Sequence, residues 1–453
     1  MTVIWAKTAL LAGGWAENVR LDIAAGRIAK ITVDAAPAGQ SVPILLPAPA
    51  NAHSHAFQRA LAGLTEKRGP NPNDSFWTWR ALMFRFLDAL TPEQVQAIAA
   101  FVQMEMLEAG FATNVEFHYL HHRPGGAAYD DLGEMSARIA AAAECSGIGL
   151  TLLPVHYQYG GCDQRPLGPG QARFGTDLDQ FAALHARAGQ ILQALPKDSV
   201  LGLAPHSLRA VGRPALNQMK TLAAGGPVHM HLAEQTAEVD EVAAAWGARP
   251  VEWALAQLEI DPQWCMIHCT QMMPHETRAL AQSGAVAGLC PLTEASLGDG
   301  IFDALGWLEN DGAMALGSDS NIRISLAEEM RQLETTQRLR DRSRAALATP
   351  GKSTGRRIFD AICAGGAQAA GRGPGALTEG AWADLLALDD QHVDLAGVCG
   401  DTILDSFAFA GDSQMVRDVW AAGRHVVQNG AHKHRSEITR AYAAAVAPLR
   451  CGL

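Results

Sequence analysis

Eight short apolar runs recur through the middle of the chain, separated by longer stretches of helical period. They are PAPANAH (47–53), ATNVEFH (112–118), IGLTLLPVH (148–156), SVLGLAPH (199–206), PVHMH (227–231), WCMIHC (264–269), AVAGLC (285–290) and AMALGSD (313–319). A strand that is apolar throughout, rather than at every second position, has to be covered on both faces. The segment between the first two runs shows what covers it. In TPEQVQAIAAFVQMEMLEAG, Thr91 reads as an N-cap, Pro92 takes the first helical position, Val95, Ile98, Val102 and Met106 form an apolar stripe, and Gly110 marks the stop. Eight buried strands alternating with helices predict an α/β fold, a closed (β/α)8 TIM-like barrel in preference to an open doubly wound sheet. No GxGxxG follows the first strand to argue for a dinucleotide-binding sheet.

The two ends have a different texture. In VRLDIAAGRIAKI, Val19, Leu21 and Ile23 alternate, Ala25-Gly26 turns the chain, and Ile28 and Ile31 resume, which predicts a hairpin. WADLLALD and MVRDVWAAGRHVVQNG repeat the pattern near the C-terminus. A length of 453 residues exceeds what one core of about 250 to 300 residues absorbs, so a second, smaller core is expected. Residues 1–46 and 374–435 are assigned together to a small sheet domain, 47–373 to the barrel and 436–453 to a helical tail.

Charge narrows the partners. Lys+Arg 36 against Asp+Glu 47 leaves a net charge of −11, which excludes a nucleic-acid binder that neutralises phosphates. No apolar run reaches membrane-spanning length and no leader segment opens the chain, so a soluble, unsecreted, cytoplasmic protein with no membrane partner is expected. The eight cysteines are scattered without a CxxC pair and read as buried structural thiols. RLRDRSR (338–344) reads as a solvated helix face, and Trp77 and Trp79 as loop packing rather than a base-stacking platform.

The titratable residues gather at strand ends. His53 and His55 form an HxH after the first strand, and at period two they point to one side. PVHMHLAE closes the fifth strand with His229, His231 and Glu234, His268 closes the sixth, and Asp319 closes the eighth. A barrel builds its active site from these ends. Three imidazoles and one carboxylate suit zinc with a position left for water, and His53, His55, His231 and Asp319 supply that set; the His-x-x-Glu spacing selects His231 over His229. Zinc lowers the pKa of bound water from about 15.7 towards 7. Two long connections, 57–90 and 157–176, follow strand ends and are expected to be functional.

The order HxH, HxxE, His, Asp on successive strand ends resembles the amidohydrolase superfamily, in its mononuclear aminohydrolase branch, from the first strand to about Asn429. Dinuclear members add a bridging lysine after the fourth strand, where this chain reads APHSLRA, so the resemblance implies one zinc per chain. It also implies a β-sandwich for the small domain, with GALTEGAWADLLALD as its returning edge, and a homodimer. Within that branch NAHSHAFQRALAGLTEKRG, DSFWTWR, VEFHYLHH, APHSLRA, HMHLAEQ, CPLTEASLGDGIF and LGSDSN resemble the enzymes that hydrolyse the formimino group of N-formimidoyl-L-glutamate in histidine degradation. That likeness implies release of ammonia and N-formyl-L-glutamate. Glu234 would carry the proton, His268 would direct the water, and Asp319 would hold a proton while ligated. Arg80 and Arg209 would bind the carboxylates of a dicarboxylate substrate, with Gln58, Tyr119 and His206 as further donors. His118, His121 and His122 are placed behind the site or on the surface. The competing expectations are deamination of a guanine-like or triazine-like ring, and a catalytically silent scaffold of the same fold.

Overall fold

The computed structural model describes residues 2–66 and 76–451. The parallel strands of the middle segment are, in chain order, Ala50–Ser54, Thr113–His118, Gly149–His156, a fourth in two pieces (Val200–Leu201 and Ala204–Pro205), Val228–Leu232, Trp264–His268, Val286–Leu289 and Ala313–Leu316. Ladders join the first to the fourth and the fifth to the eighth. Single bridges close the two remaining joints, Leu203 with Val228 and Ser207 with His231 on one side, Ser54 with Asp319 on the other. The result is the expected barrel, with strand positions within a few residues of the apolar runs. Every residue of Thr113–His118, Gly149–His156 and Trp264–His268 is buried, as a strand covered on both faces requires.

The fourth strand breaks for local reasons. Gly202 lies so close to the fifth strand that a Cβ there would come within 2.4 Å of the Pro227 carbonyl oxygen and 2.5 Å of Leu153. Pro205 has no N–H to give to a ladder. The helix read between the first two strands spans Pro92–Glu108; Thr91 accepts the Gln94 N–H and Gln94 returns the bond to Thr91, a capping box.

The chain ends meet in one eight-stranded sheet. Gln40–Pro47 lies parallel to Thr2–Leu11 and antiparallel to Leu385–Leu388, so the N-terminal strands and those of the C-terminal segment are continuous. The predicted hairpin is there, with Ile23 opposite Ile28 and both Ala25 and Gly26 at positive φ. Ile4, Val19, Leu21, Val42, Leu385 and Trp420 form a core of their own, apart from that of the barrel. Asp198, before the fourth barrel strand, joins the two units: it pairs with Arg424 of the sheet at 2.7 Å and with Arg372, which also holds Asp384 at 2.9 Å. The C-terminal helix Arg435–Cys451 packs on Pro92–Glu108, where Tyr442 stacks on Phe101. Arg450 and Tyr442 donate to the carbonyls of Ala60 and Arg59, which fixes the short helix Ala56–Leu61 after the HxH pair.

Of the seven cysteines among the described side chains, none is bonded to another, and five are buried. Cys145 and Cys399 are exposed, contrary to the expectation of uniformly buried thiols. The basic run 338–344 straddles the end of helix Leu326–Asp341, where Arg338 pairs with Glu334 and Arg340 with Asp303. The side chain of Trp77 and residues 67–75 of the connection 57–90 lie outside the described residues. No helix among the described residues is long and apolar enough to cross a membrane.

Candidate functional site

The C-terminal ends of the barrel strands enclose a cavity of about 540 Å³ including its open mouth. His55, Gln58, Arg80, Tyr119, His206, Arg209, His231, Glu234, His268 and Asp319 all line it, and His53 lies beneath them, fully buried. The candidate ligands, the proton carriers and the candidate substrate-binding residues are therefore in one place.

Three imidazole nitrogens and one carboxylate oxygen converge at its floor. The ligand atoms of His53, His55, His231 and Asp319 all lie within 4.8 Å of one another. Nε2 of His53 is 3.1 Å from Nε2 of His231 and 3.4 Å from Oδ1 of Asp319, and Nε2 of His55 is 3.2 Å from that same oxygen. The far sides of two rings are already committed: Nδ1 of His55 meets the Phe117 carbonyl at 3.0 Å, and Nδ1 of His231 meets the His206 carbonyl at 3.1 Å. Donating there, both rings turn an Nε2 lone pair inward. Burial holds these histidines neutral, with His53 lowered to about 3 and His231 well below its ordinary value. Burial works against the charge on Asp319, but the bond from His53 and the neighbouring imidazoles outweigh it and keep the carboxyl below its usual range. Neutral imidazoles and an ionised carboxylate aimed at one point fit a divalent cation of the zinc type.

The backbone is strained around this point. Ala233 (φ 52°), His268 (φ 71°) and Asp319 (φ 45°) all occupy the left-handed region, at the ends of the fifth, sixth and eighth strands. Such conformations cost roughly 1 kcal/mol or more each and persist where the surroundings over-determine them. Asn321 does so for Asp319. Its Nδ2 donates to the carbonyls of Asp319 (3.0 Å) and His55 (3.2 Å) and to Ser54 Oγ (3.1 Å), locking the first strand to the eighth beside the ligands.

Glu234 and His268 stand over the convergence point, with 3.9 Å between Oε1 of Glu234 and Nε2 of His268. On its other side His268 Nδ1 lies 3.2 Å from Glu294 Oε1. Burial would lower His268, but Glu234, Glu294 and Asp319 around it prevail and push it up to about 10; a dication on the neighbouring ligands would act in the opposite direction. Two guanidiniums face the cavity. Arg80 donates to the Tyr157 hydroxyl at 3.0 Å, and Arg209, buried, reaches Glu234 Oε2 at 3.4 Å. Gln58 donates to the Tyr119 hydroxyl at 2.8 Å. Burial, then Arg209 and Arg80, lowers His206 well below its ordinary value, so it is a neutral donor or acceptor.

Other residues fall outside. His229, two positions before His231, spends Nε2 on the Ala369 carbonyl at 2.8 Å. His118, His121 and His122 are buried rather than on the surface; His121 and His122 bond the carbonyls of Val155 and Gly175. Trp79 lines the cavity mouth beside Phe84 and Phe174 and packs on the core.

Residues 44–426 match the sequence model of the amidohydrolase family. The chain belongs to the amidohydrolase family. Residues 1–41 of this amidohydrolase match a second model, the N-terminal domain of the formimidoylglutamate deiminase HutF. The chain is 47% identical over 450 residues to the formimidoylglutamate deiminase of Pseudomonas aeruginosa, covering 98% of each. It superimposes on the crystal structure of an amidohydrolase from Brucella melitensis with a TM-score of 0.96 at 44% identity, over 99% of this chain and 100% of that one. An adenosine deaminase from Xanthomonas campestris with bound zinc shares the fold, with a TM-score of 0.83 at 20% identity over 99% and 98% of the two chains.

Reading the sequence passed over four residues of this amidohydrolase's site. Tyr157 follows the third strand directly, and its hydroxyl links Arg80 to Gln171. Its place at a strand end was the available signal. Glu294 and Asn321 sit inside motifs already noticed, CPLTEASLGDGIF and LGSDSN. Glu238 carried no signal beyond a first-turn carboxylate.

Proposed function

We propose that this amidohydrolase hydrolyses N-formimidoyl-L-glutamate to N-formyl-L-glutamate and ammonia. The observation that carries the reading is the sharing of one cavity by the His53, His55, His231 and Asp319 cluster and by two guanidiniums, Arg80 and Arg209. A site for a flat neutral heterocycle has no use for two arginines, whereas a dicarboxylate needs local positive charge in a chain whose net charge is −11. The 47% identity to the Pseudomonas deiminase over nearly the whole chain supports the same substrate.

His53, His55, His231 and Asp319 would hold one zinc ion per chain. When bound, zinc supplies a Lewis acid that makes water nucleophilic at neutral pH. The protein's residues do the rest. Arg209 and Arg80 clamp the two carboxylates, which leaves the formimino carbon above the ligand cluster. His268 directs the attacking water with Nε2. Glu234 takes the water's proton and delivers it to the terminal nitrogen of the tetrahedral carbon. Asp319 takes the remaining hydroxyl proton and Glu234 relays it to the same nitrogen; the C–N bond to that nitrogen then breaks, ammonia leaves, and the carbon keeps the oxygen as a formyl group. Tyr119, Gln58 and His206 are neutral hydrogen-bonding groups around the same substrate.

The domain division read from the sequence, 1–46 with 374–435, 47–373 and 436–453, stays part of the proposal; the sheet shared by the two chain ends, the closed barrel and the terminal helix Arg435–Cys451 support it. Ammonia release from N-formimidoyl-L-glutamate, measured beside guanine, tests the function. A preference for guanine would replace the reading with a heterocycle deaminase.

A further inference from the structure

Glu238 lies in the first turn of helix Thr236–Trp246 and is 0% exposed. A carboxylate in that position ordinarily serves the N-terminus of its own helix. This one reaches back into the turn before it. One oxygen accepts the Ala233 N–H at 3.2 Å and the other accepts the Glu234 N–H at 3.0 Å. The second oxygen also lies 3.9 Å from Nε of Arg209, whose Nη2 is 3.4 Å from Glu234. Glu238, Arg209 and Glu234 thus form a closed triangle.

Two needs meet in that triangle. Ala233 is in the left-handed region, so the turn that aims Glu234 has to be held from outside. Thr270 and Gln271 grip its carbonyls, at 2.7 Å on Glu234 and 2.9 Å on Ala233, while Glu238 grips its N–H groups. A buried guanidinium, in turn, requires a counter-charge. Burial weighs against charge on Arg209, yet Glu238 and Glu234 together keep it above its usual range. Glu234 loses its charge each time it takes the proton, and Glu238 takes part in no proton transfer.

We propose that Glu238 is a positioning residue of the deimination: it sets the turn that aims Glu234 and is the standing counter-charge that keeps Arg209 in place throughout the cycle. The inference rests on the reading of the site as a deiminase of a dicarboxylate. It touches neither substrate nor metal ligand.

Glu238→Gln puts a donor where an acceptor faces an N–H or the guanidinium. With N-formimidoyl-L-glutamate the variant is expected to raise KM and lower kcat, for a combined loss of roughly 30-fold in kcat/KM, with metal content as in wild type. A formamidine that carries no carboxylate should register only the kcat part. Added to Arg209→Met, Glu238→Gln should cost less than it does alone, because the two act as a unit. Glu238→Asp keeps the charge but loses reach, so it is expected to restore KM more than kcat; it also serves if Glu238→Gln does not fold. Wild-type kinetics in Glu238→Gln, or losses that simply multiply with those of Arg209→Met, would overturn the proposal. Failure of the wild type on N-formimidoyl-L-glutamate would overturn the substrate reading instead. In that event a crystal structure of Glu238→Gln decides the positioning role: Arg209 and the Ala233–Glu234 turn displaced supports it, and both unmoved refutes it.

Discussion

Nε2 of His231 lies 3.1 Å from Nε2 of His53, at the floor of the barrel cavity that both arginines and the strand-end acids line. His231 presents a lone pair at that contact because its Nδ1 is engaged with the His206 carbonyl, and His55 is oriented the same way by Phe117. With the Asp319 carboxylate beside them, these ligand atoms converge within 4.8 Å of one another.

A metal held there would tie the ends of the first, fifth and eighth strands together as well as serve chemistry. Purified protein is expected to carry about one zinc per chain, and removal by a chelator is expected to lower Tm. Elemental analysis with thermal unfolding before and after chelation checks this. Two tightly held metals per chain, both required for turnover, would show the ligand set to be incomplete.

His268 packs against His53 and His231 of the cluster and Glu234 faces His268, but neither belongs to the ligand set. Glu234→Gln and His268→Asn should retain the metal and lose activity by roughly 10²- to 10⁴-fold, whereas His231→Ala should lose the metal itself. Metal content measured alongside kcat separates the cases. Zinc released from Glu234→Gln but kept by His231→Ala would reverse the assignment.

The two arginines are probed by different substitutions. Removing Arg209 strands two buried carboxylates, Glu234 and Glu238, so its effect cannot be confined to substrate binding. Arg80 donates to the Tyr157 hydroxyl at the cavity wall. With Arg80→Met, kcat/KM for N-formimidoyl-L-glutamate should fall by roughly 30-fold, mostly through KM, while a formamidine without a carboxylate is turned over nearly as before. Equal losses on both compounds would mean that Arg80 supports the fold of the cavity.

Buried neutral histidines away from the cluster set the acid limit. Burial lowers His118 from 6.5 to about 3 and His156 from 6.5 to about 4. The unfolded chain binds these protons first, so stability is complete above pH 6.5. It declines as pH falls, by about 1.4 kcal/mol per unit for each group until its folded value is reached. At pH 4.5 the two together remove roughly 5 kcal/mol, a large part of a typical folding stability. Tm measured from pH 7 to 4.5 at constant ionic strength should drop steeply, and less steeply in His156→Gln. A flat profile would contradict the assignment of neutral buried imidazoles.

Much of this was readable in the chain because the signals are local. An apolar run with no alternation states that both faces of a strand are covered, and Thr91, Pro92 and Gly110 state where a helix starts and stops. A residue at the end of such a run lies at the end of the barrel that carries the site, so His53, His55, His231, Glu234, His268 and Asp319 could be named from position and spacing, although His118 and His156 end their runs outside the cavity. The turn at Ala25-Gly26 is local in the same sense.

What only the tertiary structure decided depends on groups far apart in sequence. His229 and His231 share one side of a strand; the His-x-x-Glu spacing favours His231, but that His229 is occupied by the Ala369 carbonyl, 140 residues away, only the fold decides. Asn321 matters because it spans from the eighth strand to Ser54 and His55 on the first. Glu238 reads in sequence as a first-turn carboxylate, and becomes the partner of Arg209 only when the fourth and fifth strand ends are brought together. Sequence fixes which side chains point into the barrel because strand direction and period are properties of the backbone. The partners they meet there are set by ring closure, which brings residues from different strands to within hydrogen-bond distance.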